Sequence, residues 1–366
     1  MPELDYITVR GFRSIAEIDK LKLGKVNVLI GPNGSGKSNF IEVFAFLHAI
    51  REGQLQDYVA KAGGAGRLLH FGARHTRELY VHISFNDEVN QYEIALEPTE
   101  LDQLIPITER VMFWDKPRYD RPFADRLDRR GLEAGISARE PGISSYVRNH
   151  LGSWRRYHFH DTGSGSGMKT AAAVNDNRFL RTDGSNLPSF LYYLREQHSD
   201  SYRLITEVVR QAAPFLRDFR LGPQRLSPDT IRLEWRHQGS DAYFDATALS
   251  DGTLRFIALA TLFLQPQVHR PAVILVDEPE LGLHPYAIVL LGSLMKQVAD
   301  QTQVVVSTQS PLLLDQFEPE DILVADQVDG ATQLSRLNTD TLVSWLDDYS
   351  LGQLWEKNEL GGRPRW

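Results

Sequence analysis

The run Gly31-Pro32-Asn33-Gly34-Ser35-Gly36-Lys37-Ser38 places glycine, lysine and serine at the spacing of a phosphate-binding loop. Such glycines let the backbone of Asn33, Gly34, Ser35 and Gly36 turn its N–H groups toward an anion, and the start of a following helix adds a favourable dipole. Lys37 is then expected to bridge the β- and γ-phosphates of a nucleoside triphosphate, and Ser38 to ligate magnesium. A second run, Ala272-Val273-Ile274-Leu275-Val276-Asp277-Glu278-Pro279, is an apolar stretch that ends in two carboxylates. On a buried strand it would bring Asp277 beside the phosphates to hold the magnesium shell, with Glu278 next in line to polarise a water. A third run, Ala248-Leu249-Ser250-Asp251-Gly252-Thr253, sets a serine and a glycine at a helix start, where by itself an ordinary N-cap is the plainer reading.

These runs need elements to hold them. Residues 6–10 read as a strand, and residues 25–30 as a second that runs straight into the glycine-rich loop. A helix follows over 38–51, with Phe40, Ile41, Phe44, Leu47 and Ile50 recurring mostly at three- and four-residue steps, which predicts one buried face. Residues 79–85 and 91–96 alternate around the polar turn 86–90, an antiparallel hairpin. Residues 97–152 show no clear period. They include 115–130, six basic and four acidic residues, read as a solvated charged loop or helix.

Residues 154–160 look like a strand with His158 and His160 on one face, a solvated or satisfied pair, because no third metal ligand is evident. The Gly-Ser stretch within 161–169 superficially suggests another phosphate loop. Met168 stands between Gly167 and Lys169, so the spacing fails and the stretch reads as a mobile linker. Helical patterns cover 186–197 and 202–213, and a strand covers 230–235. From residue 245 onward helices (253–265, 285–299) alternate with apolar strands (272–276, 303–307, 322–325), the texture of a parallel sheet covered on both faces. The first ~50 and last ~120 residues thus read as two halves of one α/β sheet, interrupted by an inserted middle.

Composition narrows the chemistry. The chain has 366 residues, 42% hydrophobic, enough for about two domains or one elaborated domain. The absence of cysteine excludes a disulfide scaffold, a thiolate zinc site, a cysteine-ligated iron–sulfur cluster and a cysteine nucleophile. No window approaches 18 apolar residues and residues 1–5 lack the features of a signal peptide, so a cytoplasmic location with no membrane partner is expected. A net charge of −8 disfavours a generic nucleic-acid coat.

A phosphate loop, then a Leu-Ser-x-Gly helix start, then an apolar strand ending in Asp-Glu, is the order of the ABC-type ATPases. The chain resembles a stand-alone ABC ATPase of the RecF/SMC/OLD group, in the branch labelled AAA-family ATPases. The resemblance rests on Thr8-Val9-Arg10-Gly11-Phe12-Arg13-Ser14-Ile15, on Leu249 to Arg255, on Asp277-Glu278-Pro279-Glu280-Leu281-Gly282-Leu283-His284-Pro285 and on Ser307-Thr308-Gln309-Ser310-Pro311. The segment 345–355 also resembles these relatives, and the middle is matched only loosely.

The resemblance implies an α/β P-loop NTPase: an ABC ATPase head with a mixed sheet, an antiparallel hairpin lobe and a helical signature lobe. Its lobes would be 1–96 with the phosphate loop, 97–160 with the charged insertion and a sheet strand, 161–250 with the linker and helices, and 251–340 with signature, acidic strand and switch. A tail spans 341–366. Heads of this kind dimerise head-to-tail around ATP and Mg2+, so Ser250 and Gly252 would act in trans on the γ-phosphate, and Leu283-His284 would cross the dimer interface. Arg13 falls where relatives contact nucleotide phosphate. The switch position, histidine in many ABC ATPases, is here Gln309. Glutamine can orient water but cannot take a proton, which makes Glu278 the expected general base and Gln309 a sensor with slow turnover. The magnesium-sensing glutamine has no clear counterpart, and His160-Asp161 is the best positional candidate.

The resemblance suggests an ATP-driven dimerisation switch in DNA repair, maintenance or anti-phage defence, with a separately encoded effector such as a nuclease, and with DNA a possible partner. A transporter subunit is disfavoured, since Ser250 lies 213 positions after Lys37. The absence of heptads disfavours an SMC arm, and the 41 residues after Ala325 are expected to be too few for an OLD-type nuclease domain. A regulatory module that binds ATP with little or no hydrolysis is the main competitor. The apolar residues Leu342, Trp345, Leu346, Tyr349, Leu351, Leu354 and Trp355 are expected to pack on the head itself, with a partner surface as the alternative.

Overall fold

The computed structural model describes residues 4–128, 131–138 and 141–361. Residues 1–3, and Arg129 and Arg130 of the charged stretch, lie outside them. Two six-stranded sheets enclose one helix. The first is mixed, in the order Ala331–Arg336, Ile322–Val328, Val26–Ile30, Gln303–Ser307, Val273–Asp277, Trp154–Tyr157, parallel throughout except for Ala331–Arg336. The second is antiparallel, in the order Ile15–Lys22, Leu4–Phe12, Leu79–Phe85, Asn90–Pro98, Leu104–Phe113, Phe123–Arg126. The expected sheet of two halves is therefore corrected: of the first 50 residues only Val26–Ile30 joins the mixed sheet. Leu4–Phe12 turns back on itself at Arg13 and Ser14 and pairs with Ile15–Lys22 instead.

The helix Lys37–Glu52 lies between the two sheets. Besides the predicted face, Val43, Phe46 and Ala49 are buried, because the helix is apolar nearly all round and meets a sheet on either side. Strand periodicity distributes the rest: Val26, Val28, Ile30, Ile274, Val276, Val304 and Val306 pack toward the helices Asp251–Leu264 and Pro285–Val298, while Leu29, Leu275 and Val305 pack toward Lys37–Glu52.

The middle of the chain departs furthest from expectation. The region read as without period contains the ten-residue strand Leu104–Phe113 and the helix Ile143–Gly152, and the charged stretch supplies the exposed edge strand Phe123–Arg126. The predicted strand 230–235 is two strands, Ser227–Ile231 and Glu234–His237, in separate small sheets. The expected mobile linker is a chain of tight turns, in which Met168 is fully buried in the main core and Lys169 pairs with Asp251 at 2.9 Å. In the tail, Leu342, Leu351 and Leu354 are buried and Leu346, Tyr349 and Trp355 pack against the same core, so the self-packing expectation holds; Trp345 stays exposed. Among the described residues no helix is long and apolar enough to cross a membrane.

Candidate nucleotide site

Parallel register brings the phosphate loop and the carboxylates to one end of the mixed sheet. Ser307 pairs with both Leu29 and Asp277, so the strands preceding the loop, the switch and the acidic pair end at one level. The loop itself is built for a close anion. Gly34 and Gly36 adopt φ of 84° and 98°, the left-handed region that turns N–H groups inward at no steric cost to glycine. A Cβ on Gly36 would sit 1.9 Å from Thr332 Oγ1, whereas one on Gly34 would meet nothing.

Lys37 Nζ donates to the carbonyls of Gly31 at 2.7 Å and Pro32 at 3.0 Å. Burial lowers its pKa, against opposing pulls from Glu278, Asp277 and Glu280, which puts the ammonium in the field of all three carboxylates. Ser35 Oγ is buried without a hydrogen-bond partner, and Ser38 is exposed. An inward N–H cradle, a lysine, a free serine hydroxyl and a carboxylate form a donor set that fits a nucleoside triphosphate with a divalent cation.

The acidic pair is tied to the switch. Asp277 accepts from Ser307 Oγ, and Glu278 accepts from the Gln309 side-chain amide. Glu278 holds φ at 44°, uncommon for a residue with a side chain, and its N–H donates to Ser307 O at 3.0 Å. Backbone held in this region costs roughly 1–3 kcal/mol and concentrates at functional sites. Glu280 anchors the arrangement from beneath. Its Oε1 accepts from Thr308 Oγ1 at 2.5 Å and from Gln309 N at 3.0 Å, its Oε2 is buried without a partner, and burial raises its pKa against these hydrogen bonds. Glutamine 309 is thus fixed by one carboxylate at its backbone and by another at its side chain.

Arg13, the expected phosphate contact, is joined to the site by residues that carried no assigned role in the sequence reading. Arg13, with φ 49°, lies 4.0 Å from Glu42, and Glu42 also takes Tyr58 OH and the Arg156 guanidinium. Arg156 comes within 4.0 Å of Asp277, which links Arg13 to the acidic strand through two intermediates. Ser14, Asn39 and Thr332 form a hydroxyl–amide cluster at 2.7 Å behind Gly36. Glu280 and Ser307 were legible only as letters in motifs; Arg156 and Thr332 had no local signal at all. His158 and His160 lie beyond the strand, which ends at Tyr157, and both are exposed, as a solvated pair is. Among the described residues no group of three or more His, Cys, Asp or Glu is placed to hold a metal. Asp161 closes a turn onto Gly163 N at 3.1 Å.

Ser250 and Gly252 sit elsewhere, at the start of the helix Asp251–Leu264. Ser250 Oγ accepts from Thr253 N at 3.2 Å as an N-cap. Gly252 is pressed against the loop after the acidic strand: a Cβ there would lie 2.0 Å from Gly282 O. Ser250, Gly252, Leu283 and His284 line one cavity of about 120 Å³, and Leu281, His284 and Tyr286 are exposed beside it.

Known structures share this architecture. The SmcHead bound to the C-winged helix domain of ScpA superposes with a TM-score of 0.60 at 15% identity, covering 92% of this chain and 99% of that one. An Smc head domain with an extended coiled coil from Pyrococcus furiosus, bound to the C-terminal domain of ScpA, gives 0.57 at 15% identity over 95% and 99%. One with a coiled coil and joint from Pyrococcus yayanosii gives 0.55 at 12% identity over the same shares. At such identities the likeness establishes the fold, a P-loop ABC-type head. No curated protein matches the chain. The family described as "AAA domain, putative AbiEii toxin, Type IV TA system" matches residues 26–315, most of the chain, which therefore belongs to that family of AAA-type ATPase domains and has the fold of the SMC heads.

Proposed function

We infer that this protein is an ATP-driven switch: two copies close head-to-tail on ATP, hydrolysis reopens them, and the motion is read by a separate effector. The observation that carries this reading is the convergence of Lys37, Asp277, Glu278 and Gln309 at one sheet end. Lys37 and the N–H groups of Asn33 to Gly36 hold the phosphates. Ser38 and Asp277 would hold Mg2+, whose charge offsets that of the phosphates. Glu278 takes the proton of the attacking water as general base, and Gln309 orients it. Arg13 serves as a phosphate contact once released from Glu42. Ser250 and Gly252 serve the nucleotide of the other copy, a reading supported by the exposed Leu281, His284 and Tyr286 beside them. The family description favours a toxin–antitoxin or anti-phage setting over a housekeeping one. The SMC heads captured with ScpA domains make a protein partner the favoured reader, with DNA reached through it.

The test is Glu278→Gln. It should lower ATP turnover by about 10²–10⁴-fold while ATP still binds, and it should trap a dimer visible by light scattering. Unchanged hydrolysis would refute the assignment. A parent enzyme that binds ATP but shows no turnover, with or without duplex DNA, would favour the regulatory-module reading. The Gln309 amide seated on Glu278 makes that reading a specific competitor.

A further inference from the structure

A second cluster lies away from the nucleotide site, where the two helices of the middle lobe meet the turn that leads into the acidic strand. Tyr193 stands on the helix Leu187–Gln197, His198 is the single residue between it and the helix Ser199–Ala212, and His269 closes the turn Gln267–His269. His198 Nε2 and His269 Nε2 are 3.3 Å apart, and Tyr193 OH lies 3.3 Å from the first and 3.2 Å from the second. Three donor atoms thus form a nearly equilateral triangle. The edge of a tetrahedron drawn around a cation with bonds of about 2.0–2.1 Å is roughly 3.3–3.4 Å, which two of the sides match and the third, at 3.2 Å, undercuts by about 0.1 Å.

The rings are held in that pose. Fully buried Phe190 packs edge-on to His269 at 5.9 Å, and both imidazoles stand edge-on to Tyr193. Each residue is only partly covered, so the open side of the triangle can be reached by an ion and a water.

We propose that His198, His269 and Tyr193 form a binding site for a divalent transition-metal ion of the Zn2+ or Ni2+ class, with water as fourth ligand, clipping the middle lobe to the turn before the acidic strand. Two imidazoles with one phenol oxygen suit such ions and not Mg2+ or Ca2+, which take oxygen ligands. The site is independent of the nucleotide reading, and so is its test.

The experiment is titration of the full chain with Zn2+, and separately with Co2+, in millimolar Mg2+ to saturate oxygen-ligand sites. The parent should take up about one equivalent and unfold at a higher temperature with Zn2+, and Co2+ should give the intense visible bands of a four-coordinate site. His198→Gln and His269→Gln should each weaken binding by ~10-fold or more, at least the loss seen when an outer-shell partner is removed. Tyr193→Phe keeps the ring packing and should retain weaker binding with an altered Co2+ spectrum. His158→Gln with His160→Gln should change nothing. Equal affinity in the parent and in either His198→Gln or His269→Gln, or loss of the signal only in the His158/His160 variant, would overturn the proposal and leave the trio as a hydrogen-bonded cluster. If an imidazole variant fails to fold, an unaltered Co2+ spectrum in Tyr193→Phe would overturn it as well.

Discussion

The phosphate loop with its carboxylates and the Ser250–Gly252 helix start are built on opposite principles. In the first, many of the polar groups are spoken for within the chain: Lys37 on loop carbonyls, Asp277 on Ser307, Glu278 on Gln309, Gln309 on Glu280. In the second, Ser250 caps its own helix and the surrounding loop turns Leu281, His284 and Tyr286 outward. A half-site closed on itself and another presented to solvent are what a chain needs if its chemistry is completed by a second copy. The open half is held to the rest of the chain by the backbone of Gly252 against Gly282 and by Lys169 on Asp251 at 2.9 Å.

Breaking the closed half should have the largest effect. Lys37→Ala is expected to abolish nucleotide binding in single heads, read with a fluorescent ATP analogue, and binding as tight as the parent's would overturn the role of the loop. Breaking the open half should leave that binding intact. Gly252→Ala forces a methyl group into Gly282 O, and a displacement of about 1 Å at such a site can cost up to ~10²-fold in turnover. Loss of ATP binding in that variant would show that the two halves are not separable.

Smaller effects sharpen the picture. Glu280→Ala leaves the Thr308 hydroxyl and the Gln309 N–H without their acceptor, at about 1–3 kcal/mol of stability in denaturant unfolding. Glu280→Gln keeps a carbonyl acceptor and should recover most of it; equal losses in both would mean that charge, not acceptance, is what matters there.

A further effect, on stability alone, is with pH. Burial against Phe85 pushes His150 down to about 4. The unfolded chain therefore binds a proton near pH 6.5 that the folded chain refuses until about pH 4. Stability should fall as pH drops through that window and level off below it. His48 and His82 are also lowered by burial and add to the same trend. A melting temperature flat from pH 7 to 4 would contradict it.

What could be read from the sequence was what is local in it. The phosphate loop, the helix after it and the acidic strand each declare themselves within about a dozen residues, because a strand feeding a glycine turn and a periodic helix is a short-range pattern. The strand Leu104–Phe113 was hidden because Pro106 sits within it and a register shift opposite Ala95 and Leu96 breaks the alternation. The Glu42 network and the wall behind Gly36 could not be read at all. They join side chains from separate parts of the chain, Ser14 to Thr332 and Glu42 to Arg156, and no window of sequence contains both partners. The packing of the Gly-Ser segment was missed for a different reason, since glycine and serine signal freedom and the deciding residue was the single Met168.

That long-range closure bears on how the protein is made. The strand that leads into the phosphate loop, Val26–Ile30, has as neighbours Gln303–Ser307 and Ile322–Val328, and the hydroxyl behind Gly36 comes from position 332. A nascent chain that has not reached Gln303 therefore carries a strand buried along its whole length in the finished fold with neither partner yet synthesised, the kind of exposed segment that invites misassembly. On the ribosome the phosphate loop emerges well before the strands that complete its sheet, whereas the antiparallel sheet on the other side of the helix after it, whose strands all lie before residue 127, can form in the interval.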